Sequence, residues 1–267
     1  MGPEPAESEW LSLVGDLRRR VALQCLLGES EGHSELVVFA PQVERVDAVA
    51  GAALRVRIDR HLRQFPDGRV MIEPPTRSLP AEHLRELITP LPEGVTFGEH
   101  DREDEIARFA LVPATIVQDH EAAVAAAGYA LEACEHARIA DRRANLAAAA
   151  VAELSNNALQ HAAGSDQAPA VAVTVSGRER VIEVAVVDLG TGISSSERPA
   201  DALTHIASPE HGNGFLADFL RRGSKRDLDV SIEILSGTAT LRRTWAAHRT
   251  ENGSFVPGTT VVARIAA

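Results

Sequence analysis

The sequence predicts an α/β protein of two units, a smaller α/β unit over residues 1–104 and a second unit over residues 105–267. Three observations support this fold class. Strand-like and helix-like runs alternate in the first half, a charged run (EHDREDE, 99–105) follows it, and Ala-rich helices precede alternating strands in the second half. The second unit is therefore predicted to be a two-layer α/β sandwich, with helices on one face of a mixed sheet.

The elements of the first unit are predicted from hydrophobic periodicity. Apolar residues at near-helical spacing predict an amphipathic helix over 9–27. The remaining predicted elements are strands at 35–40, 69–73 and 94–97 and helices at 46–65 and 81–88. This alternation resembles the layout of a STAS-like domain, by pattern alone and without a supporting motif.

The second unit is predicted to open with an edge strand at 108–113 and two helices, at 118–136 and from Asp141 onward. Alternating apolar residues predict two hairpins, the second one turning at Ser236-Gly237. The further elements are hairpin strands at 170–176 with 180–187 and 229–235 with 239–243, loops at 194–209 and 244–256, a short helix at 214–222 and a last strand at 260–265.

Charge and composition exclude several classes of protein. The net charge is −11 and no long basic run occurs, which argues against a general nucleic-acid or anionic-membrane binder. Only two cysteines occur, far apart, so a disulfide framework is not expected. No apolar run approaches the roughly 20 residues of a membrane span, and MGPEPAESEW lacks the order of a signal peptide. A cytoplasmic protein is expected.

One helix carries a row of polar side chains. The Ala- and Leu-rich stretch 146–163 has high helix propensity. Within it Glu153, Asn157 and His161 recur at four-residue spacing, which puts a carboxylate, a carboxamide and an imidazole on one face. Such a row on a helix otherwise made of Ala and Leu indicates either a solvated stripe or a binding site.

Three glycine-containing stretches follow this helix in the sequence. The run VIEVAVVD is a predicted strand that leads into Asp188-Leu-Gly190-Thr-Gly192. His211-Gly212-Asn-Gly214 opens a short predicted helix, and Pro257-Gly258-Thr259-Thr260 leads into the last strand. Glycine turns are common singly, but the four stretches together, in this order and at these separations, form a specific pattern.

The pattern resembles the nucleotide-binding boxes of the GHKL ATPases, the Bergerat-fold family that includes gyrase B, Hsp90, MutL, histidine kinases and the anti-sigma-factor serine kinases. Glu153-Leu-Ser-Asn-Asn157 resembles the N box, and the stretches at 188–192, 211–214 and 258–260 resemble the three glycine boxes. The likeness extends from about residue 108 to the end of the sequence. It implies a Bergerat fold that binds ATP and Mg²⁺.

The polar row gives two residues chemical roles. Mg²⁺ takes oxygen ligands and keeps several waters, so a carboxamide can be its one protein ligand. The resemblance assigns this metal-binding role to Asn157, with Asn156 as the rival off the polar face. A carboxylate one turn earlier, Glu153, can accept the proton of a hydroxyl or water that attacks the γ-phosphate. The resemblance also places His161 in the nucleotide site.

The glycine stretches supply the rest of the predicted site. A strand-end carboxylate at Asp188 can accept the exocyclic amine of adenine, and Gly190 and Gly192 let the backbone turn and approach the base. Thr259 is expected to support adenine through its hydroxyl and a water, with Thr260 as the alternative. Free amides before a helix attract phosphate, and the resemblance completes the set of ligand-binding residues with Ile193, Gly212, Gly214 and Phe215.

The resemblance lies nearest the anti-sigma serine kinases, because Glu153 stands where histidine kinases carry Asn and because the 194–211 loop is short. It implies transfer of the ATP γ-phosphate to Ser or Thr of a regulatory protein partner, with a homodimer as a further expectation. One departure is that Pro209-Glu-His211 lacks the arginine of those kinases. The alternative is an ATP-gated protein-interaction switch, in which ATP orders this loop and hydrolysis is slow or absent.

Overall fold

The computed structural model describes the chain over residues 8–28, 32–99, 109–139, 141–161, 167–176, 180–190, 192–193, 215–225 and 228–266. Within these ranges the chain forms two sheets with six helices. None of the described helices is both long and apolar enough to cross a membrane. The predicted boundary between residues 104 and 105 lies outside the described residues.

The first half forms a four-stranded parallel sheet in the order β1-β2-β3-β4. Each parallel step needs a crossover, and helices supply the crossovers here. The elements are β1 (Ser8–Leu17), α1 (Arg19–Leu26), β2 (Glu35–Val46), α2 (Ala48–Gln64), β3 (Arg69–Glu73), α3 (Ser78–Ile88) and β4 (Val95–Phe97).

The predicted helix over 9–27 is wrong, because its first half is strand β1 and only 19–26 is helical. In β1 burial alternates, so Leu13 and Leu17 face the core. Trp10 and Val14 lie on the opposite face, where they are 66% and 56% exposed. These two outward apolar side chains, combined with the inward ones, imitate the spacing of an amphipathic helix.

The second half forms a five-stranded sheet in the order β5-β6-β7-β9-β8, and each described pairing is antiparallel. The prediction of a mixed sheet in this unit is therefore wrong, although the chain as a whole is mixed α/β. The elements are β5 (Phe109–Ile116), α4 (His120–His136), α5 (Asp141–His161), β6 (Ala170–Ser176), β7 (Val181–Asp188), α6 (Phe215–Ser224), β8 (Asp229–Thr244) and β9 (His248–Ala266).

The predicted hairpin turning at Ser236-Gly237 and the loop at 244–256 are also wrong. Strand β8 continues through Gly237, where the pairing register shifts, and it pairs with β9 as far as Arg243. Gly237 has a φ of +55°, so it supplies the conformation of a bulge instead of a turn. The hairpin instead closes at Thr244 and Ala247, where the Thr244 amide donates to the Ala247 carbonyl at 2.8 Å.

Helices cover both faces of the second sheet. Val173 and Val184 pack into a core with α4 and α5, whereas the alternate residues Ala172 and Ala185 pack into a core with helices of the first half. Helix α2 contacts β5, β6 and β7 and is buried on nearly every side. The predicted two-layer sandwich thus holds for α4, α5 and the sheet, while the first half adds the layer that the sequence did not reveal.

Arg19 joins the two halves through three carboxylates. Its Nη1 lies 3.0 Å from Asp47 Oδ2 and 2.8 Å from Glu183 Oε1, and its Nε lies 3.0 Å from Glu233 Oε2. Asp47 also caps α2 by accepting from the Ala50 amide at 2.9 Å. Burial outweighs the nearby guanidinium and raises the pKa of Asp47 to about 6.

Candidate functional site

Three polar side chains form a row across neighbouring strands of the second sheet. Asp188, the last residue of β7, pairs with Thr259 of β9, and Thr259 pairs with Ser236 of β8. Residues two and four positions before Asp188 are Val186 and Val184, which pack against α4 and α5. Because side chains alternate along a strand, this row of a carboxylate and two hydroxyls lies on the face covered by α4 and α5.

The Asp188 carboxylate is buried and fixes the turn that follows it. Its Oδ1 accepts hydrogen bonds from the Gly190 amide at 2.9 Å and from the Thr259 amide at 3.3 Å. Such bonds between an aspartate and the amide two residues later stabilise tight turns. The structure therefore brings together Asp188, Gly190 and Thr259, three of the residues that the sequence assigns to the candidate site.

Two glycines of the predicted boxes are required by the close approach of these backbones. Gly258 has a φ of +63°, and a β-carbon there would overlap the Asp188 carbonyl. Gly192 has a φ of +74°, and a β-carbon there would lie 3.0 Å from Ser236 Oγ and 3.2 Å from the Gly258 carbonyl oxygen. Only glycine fits both the backbone conformation and the space at these positions.

Ser236 connects Asp188 and Thr259 to the segment after β7. Sequence reasoning did not identify Ser236 as a site residue. Its Oγ accepts a hydrogen bond from the Ile193 amide at 2.9 Å and donates one to the Gly258 carbonyl at 3.1 Å. The sequence predicts Ser236 as part of a turn, whereas it lies within β8. Alternation continued from Ile232 and Ile234, both in the core with α4 and α5, would have aligned Ser236 with Asp188.

Helix α5 lies over this face and carries the polar row. It packs against β7 and β9, with Val151, Leu154 and Ala158 in the core. Glu153 is exposed and Asn157 is half-buried, so both flank the apolar stripe that meets the sheet. The predicted face of the helix is thus present at the rim of the α5–sheet contact.

The two candidate asparagines have different surroundings. Asn156 Oδ1 lies 3.0 Å from Nδ1 of His120 on α4, so its carboxamide is engaged between the two helices. Asn157 has no hydrogen-bond partner among the described residues. This contrast favours Asn157 over Asn156 as the residue whose oxygen can serve a ligand.

The alternative threonines point to opposite faces. Alternate residues of β9 pack toward α4 and α5, namely Val261, Ala263 and Ile265. Thr259 is two positions before Val261, so it faces the same side. Thr260 alternates with them and is fully buried toward the helices of the first half, and its Oγ1 has no hydrogen-bond partner among the described residues. Thr259 is therefore the threonine that lies on the same face as Asp188.

Part of the predicted site lies outside the residues that the structure describes. Gly212 and Gly214 lie outside the described residues, as do the side chains of His161 and Phe215. Ile193 is described, and its side chain, like those of Leu159 and Leu216, packs against the core formed by α4, α5 and the sheet. The described site thus consists of Asp188, Thr259 and Ser236, the turn after Asp188, Ile193 and the rim of α5.

Comparisons of the chain with protein-family models, with curated proteins and with solved structures found no match.

Proposed function

We propose that this chain is a cytoplasmic regulatory protein with a Bergerat fold, which binds ATP with Mg²⁺ and transfers the γ-phosphate to Ser or Thr of a partner protein. The observation that carries the proposal is the pairing of Asp188 with Thr259 on the sheet face that α5 covers. A buried carboxylate at the end of β7, beside a hydroxyl of β9 on the same face, suits recognition of one edge of a base.

Adenine offers its exocyclic amine as a donor and a ring nitrogen as an acceptor. Asp188 can accept from the amine, because backbone amides already hold its carboxylate in place. The hydroxyl of Thr259, directly or through a water, can complete the contact. Guanine carries an oxygen at the position of that amine, so an ionised carboxylate there favours adenine.

In this proposal, residues of α5 bind Mg²⁺ and act on the phosphates of ATP. Asn157, half-buried at the rim of the α5–sheet contact, supplies a carboxamide oxygen to Mg²⁺. Glu153 lies one turn earlier and is exposed, so it can meet a hydroxyl brought by a partner protein and accept its proton. Mg²⁺, when bound, neutralises charge that develops on the phosphates.

Calorimetry of ATP binding, with and without Mg²⁺, tests the site. We expect wild-type protein to bind ATP in an Mg²⁺-dependent manner and Asn157→Ala to lose that dependence. Asn156→Ala is the matched control, because it removes the neighbouring carboxamide, which bonds with His120, and should leave Mg²⁺-dependent binding intact. If wild-type protein does not bind ATP at millimolar concentration, the proposal is contradicted.

A second function, an ATP-gated contact with slow or no hydrolysis, is favoured by a different observation. Helices of the first half pack on the opposite face of the sheet that carries Asp188, so a nucleotide on one face lies near a second structural unit on the other. Pro209-Glu-His211 also lacks the arginine expected of the serine kinases. Such a protein would bind ATP through the same residues.

Glu153→Gln distinguishes the two functions. For a kinase, loss of a general base lowers turnover by roughly 10²–10⁴-fold while ATP affinity stays unchanged. Formation of ADP and inorganic phosphate, with water as the acceptor of the γ-phosphate, measures this. Glu132→Gln, an exposed position on α4, is the control. ATP binding with an equally low rate of ADP formation in wild type and in Glu153→Gln would favour the gated contact.

A further inference from the structure

The β8–β9 hairpin bends around helix α1 of the first half. The bend occurs at the bulge between Ser236 and Ala239, where the register of β8 shifts against β9. Past the bulge the hairpin folds back, since Arg242 Nε lies 2.9 Å from Glu233 Oε1 on the earlier part of the same strand. Helix α1 contacts β9.

Arg20, in the first turn of α1, fills the bend. Its guanidinium donates to the carbonyls of Gly237 at 3.1 Å and Ala239 at 2.9 Å, to Thr240 Oγ1 at 2.6 Å, and to the Ser254 carbonyl. A bulge disrupts the ladder and leaves backbone groups without their usual strand partners. The planar fork of arginine donors is suited to satisfy several such carbonyls at once.

The hairpin is shaped to admit this side chain. A β-carbon at Gly253 would lie 3.0 Å from Arg20 Nε and 3.1 Å from its Cδ. One turn along α1, Gln24 Nε2 donates to the Phe255 carbonyl at 3.3 Å. Two side chains of α1 therefore bind the hairpin, and a side chain at position 253 would contact Arg20 closely.

The bulge that Arg20 holds continues directly into the candidate nucleotide site. Gly237 follows Ser236, whose hydroxyl binds the Ile193 amide and the Gly258 carbonyl. We propose that Arg20 is a positioning residue for that site, through which the first half of the chain sets the affinity for ATP. The inference rests on the proposed nucleotide site and adds its regulation: displacement of α1 releases the bulge, and Ser236 with it.

The coupling works in both directions. If α1 changes the affinity for ATP, then bound ATP must stabilise the docked position of α1 by the same free energy. A regulatory protein or ligand that moves α1 away from the hairpin would therefore release ATP. The first half is on this account a control unit of the nucleotide site.

Backbone amide exchange at Ile193, followed by NMR or by mass spectrometry of its peptide, tests the link without ATP. We expect Arg20→Ala to speed this exchange and to weaken Mg²⁺-ATP affinity by roughly 3- to 30-fold. Arg18→Ala is the matched control, because Arg18 is exposed and, among the described residues, its ion pair is with the nearby Asp16. It should match wild type in both measurements.

Two further variants separate positioning from a loss of folding. Thr240→Val removes one acceptor of Arg20 without altering α1, and we expect smaller changes in the same directions. The double variant Arg20→Ala with Ser236→Ala should bind ATP no more weakly than Ser236→Ala alone. The reason is that Arg20 is proposed to act on the site through Ser236, so the two effects are not additive. Thermal unfolding of each variant shows that the measurements are made on folded protein.

The outcomes distinguish this inference from the proposed function. Unchanged Ile193 exchange in folded Arg20→Ala and Thr240→Val overturns the inference, whatever ATP does. If wild-type protein binds no ATP, the proposed function fails, but faster Ile193 exchange in Arg20→Ala still supports the Arg20–Ser236 link. Faster exchange with unaltered ATP affinity overturns the regulatory role of Arg20 and leaves the proposed function standing.

Discussion

The amide nitrogen of Ile193 lies 2.9 Å from the hydroxyl oxygen of Ser236, across 43 residues of sequence. Because the same hydroxyl donates to the Gly258 carbonyl, one side chain connects the segment after β7 with the interior of β9. The turn that begins at Asp188 is thus held from two sides, by the Asp188 carboxylate and by Ser236.

Ser236→Ala removes both hydrogen bonds in a place where water has little access, since Ser236 is 3% exposed. We expect unfolding free energy to fall by roughly 1–3 kcal/mol, the usual cost of leaving buried partners unsatisfied, and Mg²⁺-ATP affinity to fall with it. Chemical denaturation and calorimetry measure the two effects. Ser231→Ala, at a half-buried position of the same strand, is the control, and equal losses in both variants would contradict a special role for Ser236.

Gly258→Ala should be among the most destabilising single substitutions of the second sheet. It combines a left-handed backbone conformation, which costs an alanine about 1–2 kcal/mol, with overlap of the new β-carbon and the Asp188 carbonyl, which adds roughly 1–3 kcal/mol. Gly15→Ala has a similar φ of +70° but meets no atom within 4 Å. Denaturation midpoints should therefore separate the two variants, and equal midpoints would show that the close approach is not rigid.

Thr259→Val and Thr260→Val form a matched pair on opposite faces of β9. Loss of the Thr259 hydroxyl should weaken Mg²⁺-ATP binding by about fivefold, the equivalent of one hydrogen bond. Thr260→Val should leave binding unchanged and stabilise the fold by about 1 kcal/mol, because the buried Thr260 hydroxyl has no partner among the described residues. The reverse pattern in calorimetry would assign the adenine contact to Thr260.

Asp47 gives the stability of the protein a specific pH dependence. Its pKa in the folded chain is about 6, against about 3.9 in an unfolded chain. Between these values the folded state binds a proton that the unfolded state lacks. The contribution of Asp47 to the free energy of unfolding therefore decreases as pH rises from about 4 to about 6, by roughly 3 kcal/mol in total.

Asp47→Asn removes this titration and can still cap α2. Denaturation of both proteins from pH 4 to pH 8 should show wild type losing stability relative to Asp47→Asn up to about pH 6, with a constant difference above it. Asp119→Asn is the control, because Asp119 is an exposed cap that binds the Ala122 amide in the same way. A difference that does not vary with pH would contradict the raised pKa.

Local patterns in the sequence were sufficient for several elements. Strand β6 spans 170–176 and β3 spans 69–73, both as predicted, since each is a short apolar run bounded by polar or turn residues. The prediction that Asp188 ends a strand was also right. The polar row on α5 followed from helix periodicity alone, because the positions that share a helix face depend only on sequence spacing.

Other features depended on partners far away in the chain. The inward face of β1 depends on its pairing with β2. The apolar side chains of Trp10 and Val14, on the other face, made the hydrophobic spacing look helical, so the sequence predicted a helix. Gly237 makes a bulge and not a turn because β9 continues to pair beyond it. The antiparallel hairpin of β6 and β7 was predicted correctly, but the antiparallel pairing of β7 with β9 was not, because those two strands are distant in sequence.

The sequence by itself determined that Glu153 and Asn157 share a helix face, that Asp188 ends a strand, and that glycines follow it. Tertiary structure alone decided that Ser236 joins Asp188 and Thr259 in one row, that Thr259 and not Thr260 lies on that face, and that Arg19 and Arg20 attach the first half to the second sheet. The physical reason is that helix and strand periodicity are local properties of the backbone. Strand register, bulges and the packing of one half on the other are set by contacts between residues that are distant in sequence.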